Sequence, residues 1–198
     1  MTLEYPWYDI VEGEDLEQGD FIDECEVLVP SYSLIAASEE TTLGGKSTYR
    51  VKGNADIYDL VIVSQSCDLE NGKLDYVLMC PRWSYEEYAK VNSNFKKIDK
   101  LEQLRQGKYY KYCMLNECKH IDLRCEIQIV DLGTVFSVPY DILKQMAKSS
   151  GKRLRLLSPY KEKLAQAFAY YYMRIALPND ISKFEKTKET SPPSTKPS

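Results

Sequence analysis

The chain reads as an α+β protein: a curved antiparallel sheet or small barrel, with one helix inserted among the strands and two helices near the C-terminal end. Three observations carry this expectation. Short strand-like runs dominate the first two thirds of the chain. No regular strand–helix–strand alternation, which would point to parallel pairing, occurs among them. The clearest 3.6-residue periodicity falls late, in "SPYKEKLAQAFAYYYMRIALP". With 198 residues, 43% of them hydrophobic, the chain can bury one core, expected as a single domain over residues 1–182.

Each element follows from local chemistry. "GDFIDECEVLVP" is a strand entered through a Gly-Asp turn, with Phe21, Cys25, Val27 and Val29 alternating with acids. Asp23 breaks the alternation and marks a bulge. "SEETTLGGKS" is polar with paired glycines and reads as a flexible loop. "STYRVKGNADIYDLVIVS" gives two strands around a Gly-Asn turn, with Val61–Val63 apolar enough to be buried on both faces. Asn71-Gly72 predicts a tight turn into the returning strand "LDYVLMCP". Ser84 and Glu87 form a capping box for the inserted helix, which breaks at Asn92–Asn94 and stops at Gly107. "KYYKYCML" and "CEIQIVDL" are further strands, and "VPYDILKQMAKSSG" is a helix stopped by Gly151. Ser158 and Pro159 are the expected N-cap and first residue of the last helix. Its apolar stripe is Leu164, Phe168, Tyr171 and Ile175, and Pro178 ends it. Residues 183–198 are Lys, Glu, Ser, Thr and Pro with little apolar content, the composition of a disordered tail.

Composition narrows the function classes. A net charge of −4 argues against general nucleic-acid binding, which needs a basic face. The first twenty residues hold neither a basic start nor an apolar run, so no secretion signal is expected there. No run approaches the roughly 20 apolar residues of a membrane span, so no membrane partner is expected either. A cytoplasmic setting follows, with six reduced cysteines. The sixteen tyrosines are expected to be half-buried, rings inward and hydroxyls wet.

The most unusual stretch is "LVIVSQSCDLENGKLDYVLMCP", where polar and reactive side chains separate two buried strands. Ser64, Gln65, Cys67 and Asp68 exceed what the following turn requires. Hydroxyls and an amide at a strand end suit a polar ligand or a partner, with Arg155 and Arg174 as converging cations. The competing reading is that Ser and Asp satisfy nearby backbone N–H groups. A Cys67–His120 dyad is the one standard thiol pair the sequence offers, because His120 is its single histidine; Cys67 reads more readily as a small core residue, since free Cys is among the most buried types. Cys113, Cys118, His120 and Cys125 have the ligand types for zinc, but their spacing does not form two knuckles. Lys152, Arg153 and Arg155 before the last helix suit an anion, or else an edge strand with outward basic residues. No P-loop, dinucleotide fingerprint or Ser-His-Asp order is present, and no cofactor is expected.

"GDFIDECEVLVP", "LVIVSQSCDLE", "IVDLGTVFSVPYDIL" and "RLRLLSPYKEKLAQAFAYYYMRIALP" together resemble a family of small bacterial proteins of uncharacterised function. Its pattern is a strand ending Ser-Gln-x-Cys-Asp and a last helix after Leu-Ser-Pro-Tyr. The resemblance covers most of residues 10–180. It implies a bacterial, cytosolic, single-domain protein in the company of conflict or phage-defence genes, and brings no activity, cofactor or catalytic residue. Where similar sequences read Arg-Glu-His in the last helix, this one has Lys161-Glu162-Lys163, which excludes a histidine there. The strand order also resembles the SH3-like barrel of PemK/MazF toxins, which are ribonucleases, although the Arg-Pro step before their central strand is missing. Three functions are thus expected in descending order: an accessory or interaction protein that binds another protein, a Cys- or Asp-dependent enzyme or small-molecule sensor at the same residues, and a toxin-like ribonuclease with a groove near Arg82, Lys108 and Lys111.

Overall fold

A computed structural model describes residues 6–29, 39–43, 46–50 and 54–173. In chain order the elements are β1 (Tyr8–Val11), β2 (Phe21–Val29), β3 (Glu39–Leu43), β4 (Lys46–Arg50), β5 (Asn54–Ile62), α1 (Ser66–Glu70), β6 (Tyr76–Ser84), α2 (Tyr85–Val91), α3 (Ile98–Arg105), β7 (Tyr112–Leu115), β8 (Cys118–Lys119), β9 (Arg124–Cys125), β10 (Gln128–Asp131), β11 (Phe136–Pro139), α4 (Tyr140–Ser150), β12 (Arg153–Leu156) and α5 (Tyr160–Tyr172). The fold is α+β, with antiparallel pairing throughout.

The central sheet has six strands in the order β2-β5-β6-β10-β7, with β11 also paired to β6. It is open, with β2 and β7 at its ends, so the barrel alternative is corrected to an open sheet. β6 joins its parts, pairing β11 through Tyr76–Met79, β5 through Met79–Pro81 and β10 through Arg82–Ser84. A separate ribbon pairs β1 with β12, and the Gly19-Asp20 turn ties that ribbon to the sheet. Gly19 N–H donates to the Ile62 carbonyl and Leu156 N–H donates to the Gly19 carbonyl. Gly19 is required there: its φ is +88°, and an added Cβ would lie 2.8 Å from Leu156 Cβ.

Alternation along β5 feeds two cores. Leu60 and Ile62 join Val77, Met79, Leu143 and Ala147 on the face covered by α4. Val61 and Val63 join Cys80, Val130, Leu154, Leu156 and Leu164 on the face covered by β12 and α5. This is the two-faced burial the apolar run predicts. Each Leu, Ile or Val fully buried there contributes about 1.5–3 kcal/mol. A third cluster, Tyr88, Phe95, Leu104 and Ile129, seats the inserted helical segment.

That segment follows its sequence signals closely. Ser84 Oγ accepts from Glu87 N–H and the Glu87 carboxylate accepts from Ser84 N–H, completing the capping box. A 3-10 turn, Ser93–Lys96, breaks the helix at the predicted asparagines. Gly107 at φ +69° and Lys108 N–H donating to the Gln103 carbonyl close α3. Gly151 at φ +74° ends α4 as expected.

Three local expectations are corrected. The segment read as a flexible loop forms the hairpin β3–β4, and β4 pairs β3 rather than β5. Residues 66–70 form a short helix, not the arm of a two-residue hairpin. Leu69, 1% exposed, anchors that helix in the core, and Gly72 at φ +60° ends it. Pro159, preceded by a cis bond, rather than Ser158 occupies the N-cap position of α5; the Ser158 hydroxyl donates instead to Glu162 at 2.6 Å. Pro30, Ile175, Pro178 and the tail 183–198 lie outside the described residues. No helix among the described residues is long and apolar enough to cross a membrane.

Candidate functional site

The polar groups after β5 are largely committed to the fold. Ser64 is buried, and its Oγ accepts from Leu78 N–H at 2.9 Å. Ser66 Oγ accepts from Gln18 N–H at 3.1 Å, while Gln18 Nε2 donates to the Val63 carbonyl at 2.9 Å. Asp68 and Lys73 form a long, exposed pair at 3.8 Å, a kind worth little in water. Gln65 and Cys67 are exposed, and the Cys67 thiol faces Gln65 Oε1 at 3.7 Å. Cys67 is therefore not the core residue its type suggests. His120 stands on the loop between β8 and β9, where its Nδ1 accepts from Asp122 N–H.

Arg155 does not converge on that cluster. Its guanidinium donates to both Asp20 oxygens, to Glu17 and to the Asp15 carbonyl. Arg153 donates to Asp20 at 2.9 Å, to the Gly13 carbonyl at 2.7 Å and to the Asp15 carbonyl. Asp20 is 0% exposed and Arg153 5%. Arg153 is thus an inward residue of β12, against the expectation of outward basic residues. Arg174 lies outside the described residues.

The other thiols behave as packing groups. Burial pushes Cys113 up from the ordinary value to about 11, and burial followed by the nearby Asp131 charge pushes Cys80 to about 12. Cys118 and Cys125 face each other across the β8–β9 hairpin. No cluster of three or more metal-ligating side chains occurs among the described residues.

Two clefts stand out instead. The first, about 400 Å³, lies between the end of α3, the segment leading into β7, and α5. Tyr109, Tyr110, Tyr112 and Tyr170 line it, with Cys113 and Ala167 deeper. Its only charged lining residues are Arg105 and Lys163, both basic. Arg105 is held by Glu102 through two hydrogen bonds, whereas the Lys163 ammonium makes no hydrogen bond or ion pair among the described residues and stands near the Cys113 thiol. Tyr172 and Met173, at the end of α5, are also exposed, 55% and 76%. The tyrosines of "KYYKYCML" and of the last helix are the sequence signal for this cleft; that the two segments face each other is not visible in sequence.

The second cleft, about 230 Å³, is polar and lies where β6 passes from β5 to β10. Arg82 forms its floor, 6% exposed, with its guanidinium 4.2 Å from the Phe21 ring centroid. Arg124 and Lys152 stand at its sides; its acids besides Asp23 are Asp59, which accepts from Glu24 N–H, and Glu87, which caps α2. Sequence reading places Arg82 only in a surface groove; nothing in "CPRWS" announces a buried cation. Lys111, expected beside it, instead pairs with Asp131 at 3.1 Å.

These features define an open-sheet α+β protein with a tyrosine-walled cleft and a buried-arginine cleft. No protein-family model, curated protein or solved structure matches the chain.

Proposed function

We propose that the protein is an accessory binding module that docks another protein through the tyrosine-walled cleft. The observation that carries this reading is the cleft lining: four tyrosines with two basic residues and no acidic one, in a chain whose net charge is −4. Tyrosine supplies large, stiff contact area, and interface hot spots are enriched in it. The cleft accepts one or two side chains, so the occupant is a segment of the partner carrying an apolar or aromatic anchor flanked by acidic residues. Lys163 supplies the complementary charge. A nucleic-acid strand fits less well, because one lysine and a carboxylate-bound arginine do not make a phosphate track.

A random peptide display library selected on the protein tests this. Peptides combining acidic residues with an aromatic or Leu anchor should be enriched, and Lys163→Glu and Tyr170→Ala should each weaken them about tenfold, the effect of losing one charge-assisted or hot-spot contact. Enrichment of basic peptides, or binding insensitive to both substitutions, would overturn it.

A further inference from the structure

The buried arginine is half-coordinated on one edge. Nη1 of Arg82 donates to Gln128 Oε1 at 2.8 Å, and Gln128, 4% exposed, is fixed by donating to the Glu126 carbonyl at 3.0 Å. Nη2 donates to Asp23 Oδ1. Nε, on the same edge of the guanidinium as Nη2, has no partner among the described residues. A guanidinium edge offers two parallel N–H groups that match the two oxygens of one carboxylate. Asp23 fills only one of these two positions.

Asp23 is also a loosely held occupant. It sits on the bulge between Ile22 and Cys25, is 67% exposed, and belongs to a turn in which Glu24 adopts φ +52° and donates its N–H to Asp59 at 3.0 Å. Bulges re-aim side chains, and this one swings an exposed acid over a buried cation. Beside it, Arg124 has no partner among the described residues, and Lys152 is held only by an exposed pair with Asp122 at 2.8 Å.

We propose that this cleft is a binding site for a small organic carboxylate, and that Asp23 is its built-in stand-in. The ligand carboxylate replaces Asp23 and spans Nη2 and Nε of Arg82. A second anionic group of the ligand meets Arg124 and Lys152. Phe21 and Gln128 keep the guanidinium in place as the two acids exchange. Asp23 thereby protects the buried charge while the site is empty and sets a threshold that the ligand must exceed.

Titration of the whole protein with succinate, followed by calorimetry and by the thermal midpoint, tests this with inorganic phosphate as the comparison anion. Succinate should bind saturably and raise the midpoint. Asp23→Ala should bind it about tenfold more tightly and Arg124→Ala about tenfold more weakly, the scale of one charge-assisted hydrogen bond. Arg124 is exposed, so its variant keeps the test readable even if Arg82→Gln does not fold. Absence of saturable binding in both the parent and Asp23→Ala, equal affinity for phosphate, or affinity unchanged in both variants would each overturn the proposal.

Discussion

Two arginine sites border the same polar cleft, and they solve the burial of a guanidinium in opposite ways. Around Asp20, acid and base are buried together: Asp20 at 0% exposed holds Arg153, itself 5% exposed, and Arg155, and carbonyls of residues 13 and 15 take remaining donors. Around Arg82, the base is buried, its acid is two-thirds exposed, and one donor is left over. The first arrangement is a structural knot that fastens β12 to the turn before β2. The second leaves one buried donor, Nε of Arg82, without a partner among the described residues, on a residue that lines a polar cleft. Burial alone therefore does not set how fully a guanidinium is coordinated; the placement of its acid does.

Substitutions break this comparison in order of size. Asp20→Ala should have the largest effect, since it strands two guanidiniums that have lost their shared carboxylate, and breaking such a buried pair costs about 3–5 kcal/mol. Urea unfolding measures it, and a loss below about 1 kcal/mol would show that the knot is dispensable. Gly19→Ala should cost about 1–3 kcal/mol in the same assay, because the left-handed φ and the close approach to Leu156 Cβ both resist a side chain. Asp23→Ala should be smallest, about 1 kcal/mol or less, because Asp23 is two-thirds exposed and water takes its place on Nη2 of Arg82. If Asp23→Ala instead matched Asp20→Ala, the two sites would be equivalent structural pairs and the contrast between them would vanish.

How much of this was legible in sequence depends on the range of the interaction. The capping box at Ser84 and Glu87, the stops at Gly107 and Gly151 and the bulge at Asp23 are all set by neighbours a few residues apart, and all are present. The run Leu60–Val63 announced burial on both faces because no polar residue interrupts it. The helix at 66–70 was missed because its turn residues, Asn71 and Gly72, serve a helix end as well as a hairpin. The polar cluster Ser64–Asp68 drew attention through residue type, yet its hydroxyls accept backbone N–H groups from Leu78 and Gln18, partners that composition cannot reveal.

The sequence by itself determined the α+β class, the capping box of the inserted helix, the stops at Gly107 and Gly151 and the alternation that feeds two cores, because these rest on local dihedral preferences and on the spacing of apolar residues. Only the tertiary structure decided which charges became buried. Arg153 meets Asp20 across 133 positions, and Arg82 meets Asp23 across 59. The energy of a charge is fixed by the dielectric and the partners around it, and those are assembled by strand pairing rather than written beside the residue in the chain.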